Sequence, residues 1–137
     1  MWAIYAIFSA LFAALTSILA KIGLANVNSN LATAIRTIVV LVFAWAIVFA
    51  TNAHSALNEI SRKTFLFLVL SGLATGLSWL FYFRALQTGP ASRVIPIDKF
   101  SAVFGMILAF IVFKEALTVK AIIGGVLITV GTLVLIF

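Results

Sequence analysis

The chain has 137 residues, 65% of them hydrophobic and only 9% charged, with a net charge of +6. A soluble domain of this length has too little interior to hide so much apolar surface, so lipid must be its solvent. The basic residues stand singly between apolar runs, not in a phosphate-binding stripe, which excludes nucleic acid; no cysteine and a single histidine, His54, leave no metal site, and no cofactor is expected.

Five apolar stretches follow one another, each near the ~20 residues that cross a ~30 Å hydrocarbon core. The fold class this predicts is all-α: an integral membrane bundle of five transmembrane helices, with helices at about 2–24, 31–51, 64–85, 90–113 and 119–137. No linker is long enough to divide it, so residues 1–137 read as a single domain.

The first stretch, Trp2 to Leu24, carries Lys21 near its end. It has no basic leader and outruns the 7–15-residue core of a signal peptide, so it reads as a retained helix. Asn28-Ser29-Asn30 supply capping residues for the second stretch, which holds Arg36. The longest polar loop, TNAHSALNEISRK, leads to the third stretch, where Gly72 and Gly76 form a GxxxG pair. Trp79 and Tyr82, at i and i+3, offer an aromatic wall for a cavity, with core packing or an interfacial belt as the plainer role. Gln87-Thr88-Gly89-Pro90 makes a tight turn into the fourth stretch.

That fourth stretch holds the most informative feature. Its first residues, PASRVIPIDKF, carry Arg93, Pro96, Asp98 and Lys99 where a spanning helix is already in hydrocarbon. A charge at bilayer depth costs on the order of 2.5–3.5 kcal/mol and is kept where it faces a bundle interior or a watery cavity. Asp98 shares a helix face with Ser101, Gly105 and Ala109, which places it inward, while the adjacent Lys99 points about 100° away. Pro96 removes the bond to the Ser92 carbonyl, and a carbonyl freed in this way suits a transporter site. If the acid is only structural, it is expected to pair with Arg36 or with a basic residue of a partner. In the last stretch Ala121, Gly125 and Thr129 repeat a small-residue spacing, as do Ser9, Ala13 and Ser17 in the first. Gly72, Gly76, Gly105 and Gly125 are expected to let helices pack closely, within the bundle or between two chains.

Alternation of the spans puts Lys21, Arg36, Arg84, Arg93 and Lys99 in one membrane half and Arg62, Lys63, Lys114 and Lys120 in the other. Near helix ends, Lys21, Arg84 and Arg93 are expected to snorkel to the headgroups. Five basic residues against four set no orientation. An odd-numbered unit that inserts both ways can assemble as an antiparallel dimer with the symmetry of an inverted repeat. A parallel dimer, or pairing with a different five-helix chain, is the alternative.

The run ALQTGPASRVIPIDKFSAVFGMILAFIVFKEALTVKAIIGGVLITVGTLVL resembles the second part of an EamA domain, the five-helix unit of the drug/metabolite transporter superfamily. Ala85-Leu86 with Gly89-Pro90-Ala91 resembles that family's turn between helices three and four, and Gly124-Gly125 and Gly131 its last-helix glycines. Lys114 stands where the family commonly has glycine. The first half, SALFAALTSILAKIGL followed by NSNLATAIRT, is similar too. Most family members resemble two such domains fused, and this chain carries one.

The resemblance implies a carrier of small metabolites or drugs in the cytoplasmic (inner) membrane, with the bilayer and a small-molecule solute as partners and a homodimer or a paired five-helix subunit as its assembly. Asp98, Lys99 and Arg36 are the expected substrate or proton-coupling residues, with Trp79, Tyr82, Pro96 and Ser101 lining the cavity. The alternative is a membrane component that does not itself transport, or one half of a heteromeric carrier. Enzymatic hydrolysis lacks its parts: no HExxH, no serine–histidine pair and no second buried acid.

Overall fold

The computed structural model describes residues 1–137. Its elements are α1 (Trp2–Gly23), α2 (Ser29–Ala50), a 3-10 helix (Ala53–Glu59), α3 (Arg62–Thr88), α4 (Ala91–Asp98), α5 (Ser101–Phe113) and α6 (Val119–Ile136). Five spans are long and apolar enough to cross a membrane, and α4 with α5 together make the fourth. The expected all-α membrane architecture is the one observed.

The helix ends follow local chemistry. α2 starts at Ser29, before the predicted Leu31, because Asn28 caps it: the Asn28 side-chain oxygen accepts from the Asn30 N–H at 2.9 Å. Ser61 does the same for α3 through the Thr64 N–H at 3.1 Å, and α3 runs on to Thr88, beyond the predicted Ala85. Thr118 caps α6 through the Ala121 N–H at 3.2 Å. The polar stretch after α2 is not plain loop but contains the 3-10 helix, entered through Asn52 in the left-handed region at φ 56°. Asparagine tolerates that conformation better than most residues. α5 ends on Lys114, also left-handed at φ 54° and ψ 30°.

The chain groups into two compact units, residues 20–87 and residues 1–19 with 88–137. In the first, Ala20, Leu24, Phe83 and Leu86 are buried, together with Ser29 and Thr33. The end of α3 meets the turn between α1 and α2, because Gln87 Nε2 donates to the carbonyls of Val27 at 2.8 Å and Leu24 at 3.4 Å. These are carbonyls that the end of α1 and the turn leave without helical donors.

In the second unit, α6 packs on α4 and on α5. Met106 Cε lies 3.1 Å from the point where a Cβ on Gly125 would stand, so the missing side chain lets α5 approach α6. Beside this contact runs an apolar groove of about 210 Å³ lined by Val103, Met106, Leu117, Ala121, Gly125 and Thr129. Of the glycines expected to mediate packing, Gly125 does so inside the chain. A Cβ on Gly72, Gly76 or Gly105 would meet no atom within 4 Å. The most apolar stretches of α3 and of the fourth span bury none of their residues inside the chain. Apart from the side chains that meet α6, most of these residues face outward.

Candidate functional site

The fourth span is a broken helix. Pro90, at φ −70° and ψ 133°, stops α3 from continuing and starts α4 at Ala91. Pro96 offers no N–H to the Ser92 carbonyl. The regular α pattern does not fail at the proline, where the sequence places the kink, but three residues later, between Asp98 and Ser101. There the Lys99 N–H turns to the Pro96 carbonyl at 3.1 Å instead of reaching Ile95, and Phe100 bonds to Ile97 at 3.0 Å. Ala102 bonds to Lys99 at 3.0 Å and Val103 to Phe100 at 2.9 Å. Four i→i+3 bonds, from Lys99, Phe100, Ala102 and Val103, tighten the turn here, and a tightened stretch inside a helix often marks a functional hinge.

Three of the predicted site residues lie at that break: Asp98 and Ser101 flank it and Lys99 is within it. Asp98 closes α4 and its Oδ2 lies 3.3 Å from Lys99 Nζ, with the acid side chain 32% and the lysine 56% exposed. Adjacent residues therefore pair across the break instead of pointing fully apart. Ser101 opens α5 with an exposed side chain, and Pro96 is half-buried. Asp98 lies about 6 Å along the axis from the middle of the span, at ~1.5 Å per residue. It is the sole Asp or Glu inside any of the five spans.

Arg36 sits in a different setting, on α2 within the unit of residues 20–87. Its guanidinium carbon is 4.2 Å from the ring centre of the buried Phe83 and 5.7 Å from that of Trp79. Trp79 and Phe83 stand at i and i+4 on α3, so one face of the helix presents both rings. The sequence pattern points to Trp79 and Tyr82 for the aromatic wall, whereas the structure sets Trp79 and Phe83 at the guanidinium. The missed signal was the i, i+4 spacing, which aligns side chains better than i, i+3 where a helix must hold one flat group. Tyr82 lies beside the cradle, its ring 5.5 Å from that of Phe83.

Below Arg36 the basic residues are engaged with backbone and amide groups. Lys21 Nζ donates to the Leu86 carbonyl, and Arg84 Nη1 donates to Gln87 Oε1 at 3.1 Å. Lys21 thus holds the end of α3, a role beyond the headgroup anchoring its position implied. Arg93, at the start of α4, is exposed. Gln87, which the sequence reading treated only as part of a turn, links Arg84 to the α1–α2 turn.

Comparison with known proteins supplies the family. The profile of the EamA-like transporter family matches residues 1–137. The chain belongs to that family. A protein of Sinorhizobium sp, named an uncharacterized transporter in the cobO 3' region, is 48% identical over 134 residues, covering 98% of this chain and 95% of the relative. No solved structure matches. Membership in the EamA-like family and five apolar spans make this a multi-pass membrane protein of a transporter family, with the lipid bilayer as its solvent and a solute as its cargo.

Proposed function

We propose that this EamA-like chain is a proton-coupled secondary transporter that exports small organic metabolites or drugs across the cell membrane, working as a homodimer of five-span chains. The observation that carries the reading is the break at Lys99–Phe100 with Asp98 beside it, inside an otherwise apolar span. A regular helix satisfies its own backbone in lipid, whereas a tightened one with a charged pair is stable only beside protein or water. A carboxylate there that gains a proton on one side of the membrane and releases it on the other links solute movement to a proton gradient.

Support for assembly comes from the open faces. A Cβ on Gly72 or Gly76 would meet no atom within 4 Å, and small-residue faces in membranes favour close helix approach. The near-balanced basic residues favour insertion in both orientations, which gives a dimer the symmetry of an inverted repeat.

The test is Asp98→Asn in proteoliposomes carrying an imposed pH gradient. The variant keeps size and hydrogen bonding but cannot titrate. It is expected to fold and to exchange solute between the two sides while losing gradient-driven accumulation. Accumulation equal to the unmodified protein removes Asp98 from coupling.

A further inference from the structure

We infer that Arg36 with Trp79 and Phe83 forms a receptor for the carboxylate or phosphate group of an organic anion. This deepens the transporter reading, on which it rests for the claim that the anion is cargo; the binding itself stands on geometry alone.

The argument starts from an unmet need. Arg36 Nη1 is buried and has no hydrogen-bond partner. A guanidinium carries five N–H donors, holds its charge at any ordinary pH, and accepts nothing. A buried donor left unpaired costs about 1–3 kcal/mol, and more when charged. The two rings beside it do not meet the need at Nη1. Phe83 and Trp79 take the charge on their ring faces, but a ring face is no substitute for an oxygen acceptor in the guanidinium plane. The hydroxyls nearest along α2 are spent on their own helix: Thr33 Oγ1 donates to the Ser29 carbonyl and Thr37 Oγ1 to the Thr33 carbonyl, both at 2.8 Å.

No protein acid within the unit answers the charge either. Residues 20–87 contain one, Glu59, in the 3-10 helix beyond the far end of α2. Arg36 is about 21 Å from that end of α2, at ~1.5 Å per residue. The same unit adds the positive charges of Lys21 and Arg84 nearer the other end of α2. Within residues 20–87 the basic residues outnumber the one acid, a balance that favours an anion over a cation at the cradle.

Geometry then names the ligand class. A planar fork of N–H groups matches carboxylate and phosphate oxygens in a bidentate pair. Two rings at the guanidinium suit a ligand whose body is flat or apolar. Arg36 lies only about 5 Å along the axis from the middle of α2, near bilayer mid-depth, where transporters hold solute and where low dielectric strengthens the pair. The structure assigns this place to a small aromatic or apolar carboxylate, or to a phosphate-bearing amphiphile such as an anionic lipid.

The experiment reads Trp79 fluorescence in the full chain, with Trp2→Phe and Trp45→Phe removing the other two tryptophans. Purified in neutral detergent, the protein is titrated with phenylacetate, with phenethylamine and with benzyl alcohol. Saturable quenching by phenylacetate, and none by the amine or the alcohol, is expected. Arg36→Gln should weaken the effect roughly 10- to 100-fold, in line with loss of a charged hydrogen-bonded pair. Arg36→Lys keeps the charge without the fork, and should fall between the two. It also preserves the test if the glutamine variant does not fold.

In nanodiscs of phosphatidylcholine, added phosphatidylglycerol that competes with phenylacetate assigns the anion to lipid; lack of competition assigns it to solute. Quenching that is equal for all three compounds, or unchanged in Arg36→Lys and Arg36→Gln, overturns the inference. Binding that persists in a protein shown not to transport leaves the receptor standing and removes the transporter reading instead.

Discussion

Lys114 shows what one residue can cost in an otherwise regular chain. It ends α5 with φ 54°, a conformation in which its Cβ crowds the following carbonyl. Such a residue gives up roughly 1 kcal/mol relative to glycine, which is why helices so often end on glycine. The EamA resemblance places glycine at this position, and the backbone keeps the shape that glycine would prefer. Lys114→Gly is therefore expected to raise the stability of the detergent-solubilised chain by about 1 kcal/mol. Lys114→Ala removes the side chain but retains the strained Cβ, so its thermal midpoint should stay near that of the parent. A gain in both variants would mean that the lysine side chain, not the backbone, was unfavourable.

At the scale of helices, two kinds of glycine separate. Gly125 accommodates Met106, whereas Gly72, Gly76 and Gly105 have open space where a side chain would go. Gly125→Ala asks only that a flexible methionine end shift by a few tenths of an ångström, and should be nearly neutral. Gly125→Leu overfills the α5–α6 contact and should cost about 1–3 kcal/mol. Gly105→Leu serves as the internal control and should leave thermal unfolding unchanged. Gly72→Leu should leave the fold of one chain intact; if that face joins two chains, cross-linking between chains should fall.

The same contrast explains what the sequence disclosed about the elements. Runs of about twenty apolar residues announced each span, and Asn28-Ser29-Asn30 the start of the second, since lipid imposes length and caps impose ends. The small-residue spacing announced packing surfaces but not their partners, because GxxxG reads the same whether the neighbour is α6 or another chain. Pro96 announced a disturbance in the fourth span. Its location three residues on, at Lys99–Phe100, depends on which carbonyls the chain can reach with i→i+3 bonds, and composition does not encode that choice. Phe83 went unnoticed because phenylalanine is common in membrane helices, and only its position beneath Arg36 sets it apart.

At the scale of the whole molecule, five spans predict termini on opposite faces of the membrane. Reporter fusions to Met1 and Phe137 should then give opposite answers in any one molecule; matching answers would mean that the fourth span does not cross. If orientation is mixed, three lysines added to the stretch between α2 and α3 should lock one orientation, and transport by a dimer of opposed chains should drop sharply. Full activity in a locked population would favour a parallel dimer or a pair with a different five-span chain.

The bonds from Gln87 to Val27 and Leu24 join residues 60 and 63 positions apart. A ribosome adding ~5–20 residues per second takes about 3–12 s to make that stretch. Throughout that interval the turn between α1 and α2 lacks the side chain that completes it. Those carbonyls must be kept hydrated by interfacial water until the end of α3 arrives and displaces it. Gln87 therefore closes the turn after α1 only once the end of α3 has been made.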